Sequence, residues 1–158
     1  MIKIDKVVLN IGTGAPGEKL EKAKVLLERI ADQKPVETLA KKRIATWNLR
    51  PGLPIGAKVT LRNKKAEEVL KKCLDAVDKK LKSSNFQNHT VNFGVKEYID
   101  IPGLNYDPNL GMYGFDVCVT LRREGVKPGR KIPNKVKIKT EETIKFMEEK
   151  FGVKVIEE

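Results

Sequence analysis

The sequence predicts an α+β fold of the split βαββαβ type, in which an antiparallel sheet carries helices on one face and long basic loops join its strands. Two observations support this class. Apolar and polar residues alternate in several short segments, which is the period of half-buried strands. Segments with helical spacing fall between them, in the order strand, helix, two strands, helix, two strands, helix. A chain of 158 residues can bury a sizeable core, so we expect a single domain over residues 1–158.

The first strand is predicted at residues 2–11, and its alternation defines two faces. The face predicted to point toward the core consists of Asp5, Val7, Leu9 and Ile11. The opposite face consists of Ile4, Lys6, Val8 and Asn10. A turn at residues 12–17 then leads into a helix that runs to about Asp32, and a short strand follows at residues 35–39.

Residues 40–62 are predicted to form an extended hairpin. A loop at residues 40–56 precedes a strand in which Ala57, Val59 and Leu61 alternate with polar residues. Those polar residues are cationic or carry a hydroxyl group, namely Lys58, Thr60 and Arg62. This strand therefore has one apolar face and one basic face.

The remaining elements complete the pattern. We predict a helix at residues 64–81, strands at 92–100 and 115–122, an irregular loop at 102–114, and an edge strand at 136–139. Thr140 is predicted to cap a third helix that ends at Gly152, before a short strand at 153–156. The first six elements match ferredoxin-like and RRM-like sheets, whose helices lie on one face and leave the other face open.

The net charge of +11 is concentrated in two windows, residues 34–64 and 120–140. Each window contains eight cations and one acid, so the rest of the chain is net acidic. A polyphosphate partner explains such clustering, because each phosphate neutralised by Lys or Arg releases counterions. The alternative is a solvated basic surface.

Catalytic and metal chemistry finds little support. His89 is the only histidine, and most acids are spaced for helix-surface pairing with lysines. Cys73 and Cys118 are far apart in sequence, which suits reduced thiols in a cytosolic protein, with a single disulfide as the alternative. We expect no cofactor and no metal, and no membrane partner, because the sequence lacks the run of about eighteen apolar residues that a span requires.

One motif supports a rival hypothesis. Residues 12–17 read GTGAPG, which fits the GxGxxG pattern of dinucleotide-binding turns, and Glu37 follows at a suitable distance. However, the preceding strand has a polar face, and Pro16 lacks an N–H where the phosphate-binding backbone would donate one. A strand-to-helix turn with positive φ angles is the simpler interpretation.

The loop at residues 40–56 carries Trp47, the only tryptophan, between basic flanks. Its apolar residues can pack within the hairpin, or they can form a tip that lies on RNA beside phosphate-binding cations. The sheet lacks the aromatic strand motif of RRM proteins, so its Lys, Asn and Thr side chains suit phosphate and 2′-hydroxyl contacts better than base stacking.

Three stretches together resemble a known family. They are VVLNIGTG, DQKPVETLAKKRIATWNLRPGLPIGAKVTLR and IPGLNYDPNLGMYGFDVCVTLRR. The chain resembles the universal large-subunit ribosomal protein five, the 5S rRNA-binding family, in its archaeal and eukaryotic branch. The similarity extends over nearly the whole chain.

The resemblance implies a non-enzymatic protein of the cytoplasmic ribosome that attaches 5S rRNA to the central protuberance of the large subunit. The resemblance implies 5S rRNA contacts at Lys6, Asn10, Gln33 and Thr60, and the alternation had already placed all of these except Gln33 on the open face. Lys58 and Arg62, which the alternation places on the same face, complete the predicted 5S rRNA-binding set. The resemblance implies that a loop at about residues 45–54 faces the P-site tRNA. With the basic residues that precede it, the predicted tRNA- or rRNA-facing set is Lys41, Lys42, Arg43, Trp47, Asn48, Arg50 and Pro51. Further basic RNA contacts are expected at Arg122, Arg123, Lys127, Arg130, Lys131 and Lys135.

The implied partners are 5S rRNA, large-subunit rRNA, P-site tRNA, large-subunit protein eighteen and a small-subunit bridge protein. The protein would be a monomer within the ribosome. An RNA chaperone that acts outside the ribosome is the remaining alternative. Sedimentation would distinguish the two, because only a ribosomal protein should sediment with ribosomal subunits.

Overall fold

The computed structural model describes residues 1–126 and 136–157. The first half contains β1 (Ile2–Gly12), α1 (Glu18–Ala31), β2 (Val36–Leu39), β3 (Pro54–Leu61) and α2 (Asn63–Ala76). The second half contains β4 (Lys80–Lys82), β5 (Phe86–Gln87), β6 (Thr90–Val95), β7 (Phe115–Arg123), α3 (Thr140–Phe151) and β8 (Lys154–Ile156).

The main sheet has six strands in the order β2-β3-β1-β7-β6-β5, and every neighbouring pair is antiparallel. Helices α1, α2 and α3 share one core with the inward residues of this sheet. The predicted α+β class and its split βαβ sheet are therefore confirmed. A second, two-stranded sheet pairs β4 with β8 in parallel.

Alternation explains the core well. The inward residues of the three central strands are nearly all fully buried, namely Val7, Leu9, Ala57, Val59, Leu61, Val117, Val119 and Leu121. Helix α1 contributes Leu20, Ala23, Leu26, Leu27 and Ile30 to the same core, at the predicted helical spacing. Burying such side chains provides about 1.5–3 kcal/mol each before entropy is counted.

The start of β1 departs from the predicted alternation. The register with β7 pairs Ile4 with Leu121 and then Lys6 with Thr120, so Asp5 is the extra residue of a β-bulge. As a result Ile4 packs against the core, although we placed it on the polar face. Asp5, which we placed on the core face, instead meets arginines of the open face.

Three boundary predictions were wrong. Helix α2 ends at Ala76 rather than residue 81, because Asp78 and Lys79 adopt left-handed φ angles of 55° each, and Leu81 is buried from β4 instead. The strand predicted at residues 92–100 is shorter: β6 ends at Val95, and a 3-10 turn occupies Tyr98–Asp100. Residues 136–139 form no strand, although Ile138 is buried.

The third helix also begins differently from the prediction. Thr140 is the first helical residue, not the cap, and its hydroxyl accepts a hydrogen bond from the Asn88 N–H at 3.1 Å. Glu142 takes the capping role, since its carboxylate accepts the Lys139 N–H at 3.1 Å. Gly152 ends the helix as predicted, with a φ of 66°.

Candidate RNA interface

The face of the six-stranded sheet opposite the helices is open in the described part of the chain. Strand register brings its polar residues together in rows that cross the three central strands. Asn10 lies opposite Lys58 on one side and Asp116 on the other. The next row places Val8 between Thr60 and Cys118, and the following one pairs Lys6 with Thr120.

Four predicted contacts thus lie on adjacent strands of one surface: Lys6, Asn10, Lys58 and Thr60. Lys58 is exposed and has no ion pair among the residues that the structure describes. Gln33 lies beside this surface, just beyond α1, because its side-chain amide donates to the Thr60 carbonyl at 3.2 Å. We name the surface formed by Lys6, Asn10, Gln33, Lys58 and Thr60 the basic sheet face.

Two arginines extend the basic sheet face at the end where the bulge lies. Arg62 follows β3, and Arg122 belongs to β7. The Asp5 carboxylate is 3.2 Å from Arg122 Nε and 4.0 Å from Arg62 Nη1. This carboxylate is not predictable from the sequence, because nothing in an alternating pattern marks where a bulge will occur.

Arg123 lies on the opposite side of the sheet. It is the register partner of Ile2, whose side chain packs against the core. Its Nη2 donates to both Glu142 carboxylate oxygens, at 2.8 and 2.7 Å. The Lys139 N–H, and next the Arg123 guanidinium, lower the pKa of Glu142 below its ordinary value. Arg123 therefore ties β7 to α3 in this structure. Of the other basic contacts predicted in this window, four lie outside the described residues: Lys127, Arg130, Lys131 and Lys135.

The loop between β2 and β3 is an ordered hairpin extension. Backbone hydrogen bonds join Ala40 to Leu53 at 2.8 Å, and Ile44 to Leu49 in both directions at 3.1 and 3.0 Å. A 3-10 turn at Ala45–Trp47 forms the tip, closed by Asn48 with a φ of 53°. Leu49 is buried, whereas Trp47 is 68% exposed, so the tryptophan does not pack within the hairpin.

Cations surround this tip. The side chains of Lys41, Lys42, Arg43, Asn48, Arg50 and Pro51 are all exposed. The arrangement places an uncovered indole among three consecutive cations and Arg50, which suits contact with a nucleic-acid backbone and base or sugar surfaces.

The glycine-rich turn after β1 is not a nucleotide site. Thr13 and Gly14 both donate backbone N–H groups to the Ile55 carbonyl at 2.9 Å, so these donors serve the hairpin. Gly14 and Gly17 have φ angles of 74° and 130°, which explains the glycines. Strand β1 also has antiparallel neighbours on both sides, unlike the parallel strand of a dinucleotide fold.

No other catalytic or metal chemistry emerges within residues 1–126 and 136–157. This region contains no group of His, Cys, Asp and Glu side chains able to hold a metal ion. Both cysteines are free, and burial raises the pKa of Cys73 to about 12. The pKa of Cys118 is raised mainly by burial and secondly by the negative charge of Asp116. Neither is a thiolate near neutral pH. None of the described helices is long and apolar enough to cross a membrane.

These features define a class of protein. A helix-backed antiparallel sheet with a basic, hydroxyl-bearing open face and an exposed cationic loop is typical of nonenzymatic RNA-binding proteins that recognise RNA shape and backbone. The comparison with known families gives the particular member of that class.

Residues 1–50 match the family model described as ribosomal protein L5, and residues 54–151 match the model that describes the C-terminus of the same ribosomal family. The large ribosomal subunit protein uL5 of Nanoarchaeum equitans is 50% identical, over 98% of this chain and 96% of the relative. The protein of the same name from Sulfolobus acidocaldarius is 45% identical, over 99% of this chain and 92% of the relative.

The chain belongs to the uL5 family of ribosomal proteins. It is a structural, nonenzymatic constituent of the large ribosomal subunit, and its place is the ribosome of the cytoplasm. The family resemblance drawn from the sequence is thereby confirmed.

Proposed function

We propose that the protein binds 5S rRNA through the basic sheet face and helps attach it to the large subunit in the central protuberance. The observation that carries the proposal is the register that brings Asn10 beside Lys58 and Val8 beside Thr60, on a face without a helix in the described part of the chain. Ammonium, amide and hydroxyl groups at this spacing can follow an RNA backbone, contacting phosphates and 2′-hydroxyls.

The chain acts in this proposal as one RNA-binding domain. Supporting this, one continuous core joins β1 and α1, which belong to the first family match, with α2, β7 and α3 of the second. The neighbouring ribosomal partners inferred from the resemblance, large-subunit rRNA, large-subunit protein eighteen and a small-subunit bridge protein, belong to the same proposal. The predicted contacts at Arg123, Lys127, Arg130, Lys131 and Lys135 also remain part of it.

Asn10→Ala and Thr60→Ala test the polar contacts of the basic sheet face. Each removes one hydrogen-bonding group, so we expect each to weaken 5S rRNA binding by up to about tenfold. Filter binding or fluorescence anisotropy measures the affinity, and thermal unfolding checks that the fold is intact. Asn109→Ala is the matched control, because Asn109 lies in the exposed loop before β7. Unchanged affinity in both test variants, with normal folding, would rule out this face as the contact surface.

We further propose that the cationic loop approaches the P-site tRNA rather than 5S rRNA. Its tip lies at the end of a hairpin extension beyond the sheet, and its tryptophan is uncovered.

Trp47→Ala should leave 5S rRNA affinity unchanged and change the free energy of unfolding by less than about 0.5 kcal/mol, since the side chain is largely exposed. Reconstituted large subunits carrying the variant should hold P-site tRNA less firmly, as measured by tRNA dissociation rates. Leu49→Ala is the contrasting variant, because Leu49 is buried and its truncation should lower stability. A loss of 5S rRNA affinity in Trp47→Ala would show that the loop belongs to the 5S interface.

A further inference from the structure

We propose that Asp5 is a positioning residue, which holds Arg62 and Arg122 as a preformed two-arginine site for a phosphate of the RNA backbone. The proposal rests on the proposed function of the basic sheet face and deepens it. An acidic residue on a phosphate-binding surface is otherwise unfavourable, since it repels the ligand.

The β-bulge explains how the carboxylate reaches this surface. Strict alternation would direct Asp5 to the same side as Val7, into the apolar core. Because the register with β7 skips Asp5, Ile4 keeps its core contact and the Asp5 side chain meets Arg122 and Arg62 instead. Bulges commonly re-aim a side chain in this way.

Asp5 sits between arginines that come from both sides of β1. Arg122 belongs to β7, one neighbour of β1, and Arg62 directly follows β3, the other neighbour. The Asp5 side chain is only 17% exposed, whereas those of Arg122 and Arg62 are 33% and 56% exposed. The acid is therefore shielded, while both arginine side chains reach solvent.

The contacts leave most donors of the arginines available to a ligand. A guanidinium has five N–H donors, and Asp5 approaches one nitrogen of each arginine. Arg122 Nε is buried and has no well-aligned hydrogen-bond acceptor among the described residues, so the carboxylate 3.2 Å away compensates its charge. The remaining planar donors suit bidentate contact with phosphate.

Positioning has an energetic reason. A free arginine loses side-chain entropy when it is fixed against a ligand. Asp5 restricts both side chains before RNA arrives, which lowers this cost on binding. The three side chains together still carry a charge of +1, and Lys6 follows Asp5 directly in sequence, so the surface remains attractive to phosphate.

The test compares two substitutions that are expected to change RNA affinity in opposite directions. Asp5→Asn removes one negative charge, and Glu124→Gln removes another at the same end of the sheet, where Glu124 pairs with Lys3 at 3.7 Å. If Asp5 acted only as a charge, both substitutions would tighten RNA binding. We expect Glu124→Gln to tighten it slightly and Asp5→Asn to weaken it about three- to tenfold.

A double-mutant cycle identifies the route of the effect. In an Arg62→Ala/Arg122→Ala background, Asp5→Asn should no longer weaken binding to 5S rRNA. Arg122→Lys keeps the charge but loses the planar fork, so it should weaken binding nearly as much as Arg122→Ala. Arg122→Lys leaves Asp5 and the bulge unchanged in sequence, and thermal unfolding of each variant reports any loss of fold.

Three outcomes would overturn the proposal: unchanged or tighter binding by Asp5→Asn, an equal loss in the background lacking both arginines, or full affinity in Arg122→Lys. Failure of the proposed function looks different. In that case Lys58→Glu, at a distant row of the same face, would also leave 5S rRNA affinity unchanged.

Discussion

Lys58→Glu is expected to weaken 5S rRNA binding about ten- to hundredfold at moderate salt. Lys58 is exposed on the basic sheet face, opposite Asn10, and the substitution replaces a proposed phosphate contact with a repulsive charge. Charge-assisted hydrogen bonds contribute about 1.5–3 kcal/mol, and about 1.4 kcal/mol corresponds to a factor of ten in affinity. The slope of log affinity against log salt should also fall by roughly 0.7–0.9, the contribution of one phosphate.

The matched control for this experiment is Lys71→Glu. It changes the net charge by the same amount, but Lys71 is an exposed residue of α2, on the helix side of the sheet. Its effect on affinity should be small and its effect on the salt slope negligible. Equal losses in the two variants would mean that only the overall charge of the protein matters, and the localised interface would have to be abandoned.

Gly56→Ala is expected to destabilise the protein by about 1–3 kcal/mol, the usual range for overpacking a well-packed site. A Cβ atom at Gly56 would lie 2.7 Å from the Ile11 carbonyl oxygen and 2.8 Å from Thr38 Oγ1. The first of these is rigid backbone of the central strand, so β1 and β3 would have to separate. For a chain of this size, each kcal/mol lowers Tm by roughly 2–4 °C.

Gly12→Ala provides a stringent control for this prediction. Gly12 is the direct register partner of Gly56, yet a Cβ there would meet no atom within 4 Å. Thermal unfolding should therefore distinguish the two variants, with Gly12→Ala close to the unmodified protein. If both substitutions were tolerated equally, the close approach of β2, β3 and β1 at Gly56 would be incorrect. Because Gly56 lies two residues before Lys58, Gly56→Ala should also reduce RNA affinity.

Much of the fold follows from periodic patterns that need no tertiary information. Val7, Leu9 and Ile11 lie inward because a two-residue period leaves them no other side, and α1 buries the residues that its 3.6-residue period selects. The same periodicity placed Lys6, Asn10, Lys58 and Thr60 on one face before any strand pairing was known. Their placement depends only on which residues of each strand point toward the core, and the alternation of apolar and polar residues indicates this.

The features that the sequence did not predict depend on local backbone conformation or on tertiary contacts. The end of α2 is set by the left-handed residues Asp78 and Lys79, which allow Leu81 to pack from a strand instead. The bulge at Asp5 depends on the register between β1 and β7, which only the assembled sheet fixes. Gln33 was predicted as a contact from the family resemblance alone. Its hydrogen bond to the Thr60 carbonyl joins two segments that are distant in sequence, and the periodicity of either segment gives no information about such a contact.

Binding of 5S rRNA across a salt series, with an unrelated duplex RNA as competitor, tests most directly whether the basic sheet face is specific for 5S rRNA. We expect tight binding that survives the competitor, with a log–log salt slope that corresponds to several phosphates. Comparable binding to both RNAs at every salt concentration would contradict this expectation, because the basic sheet face would then be a general polyanion surface without specificity for 5S rRNA.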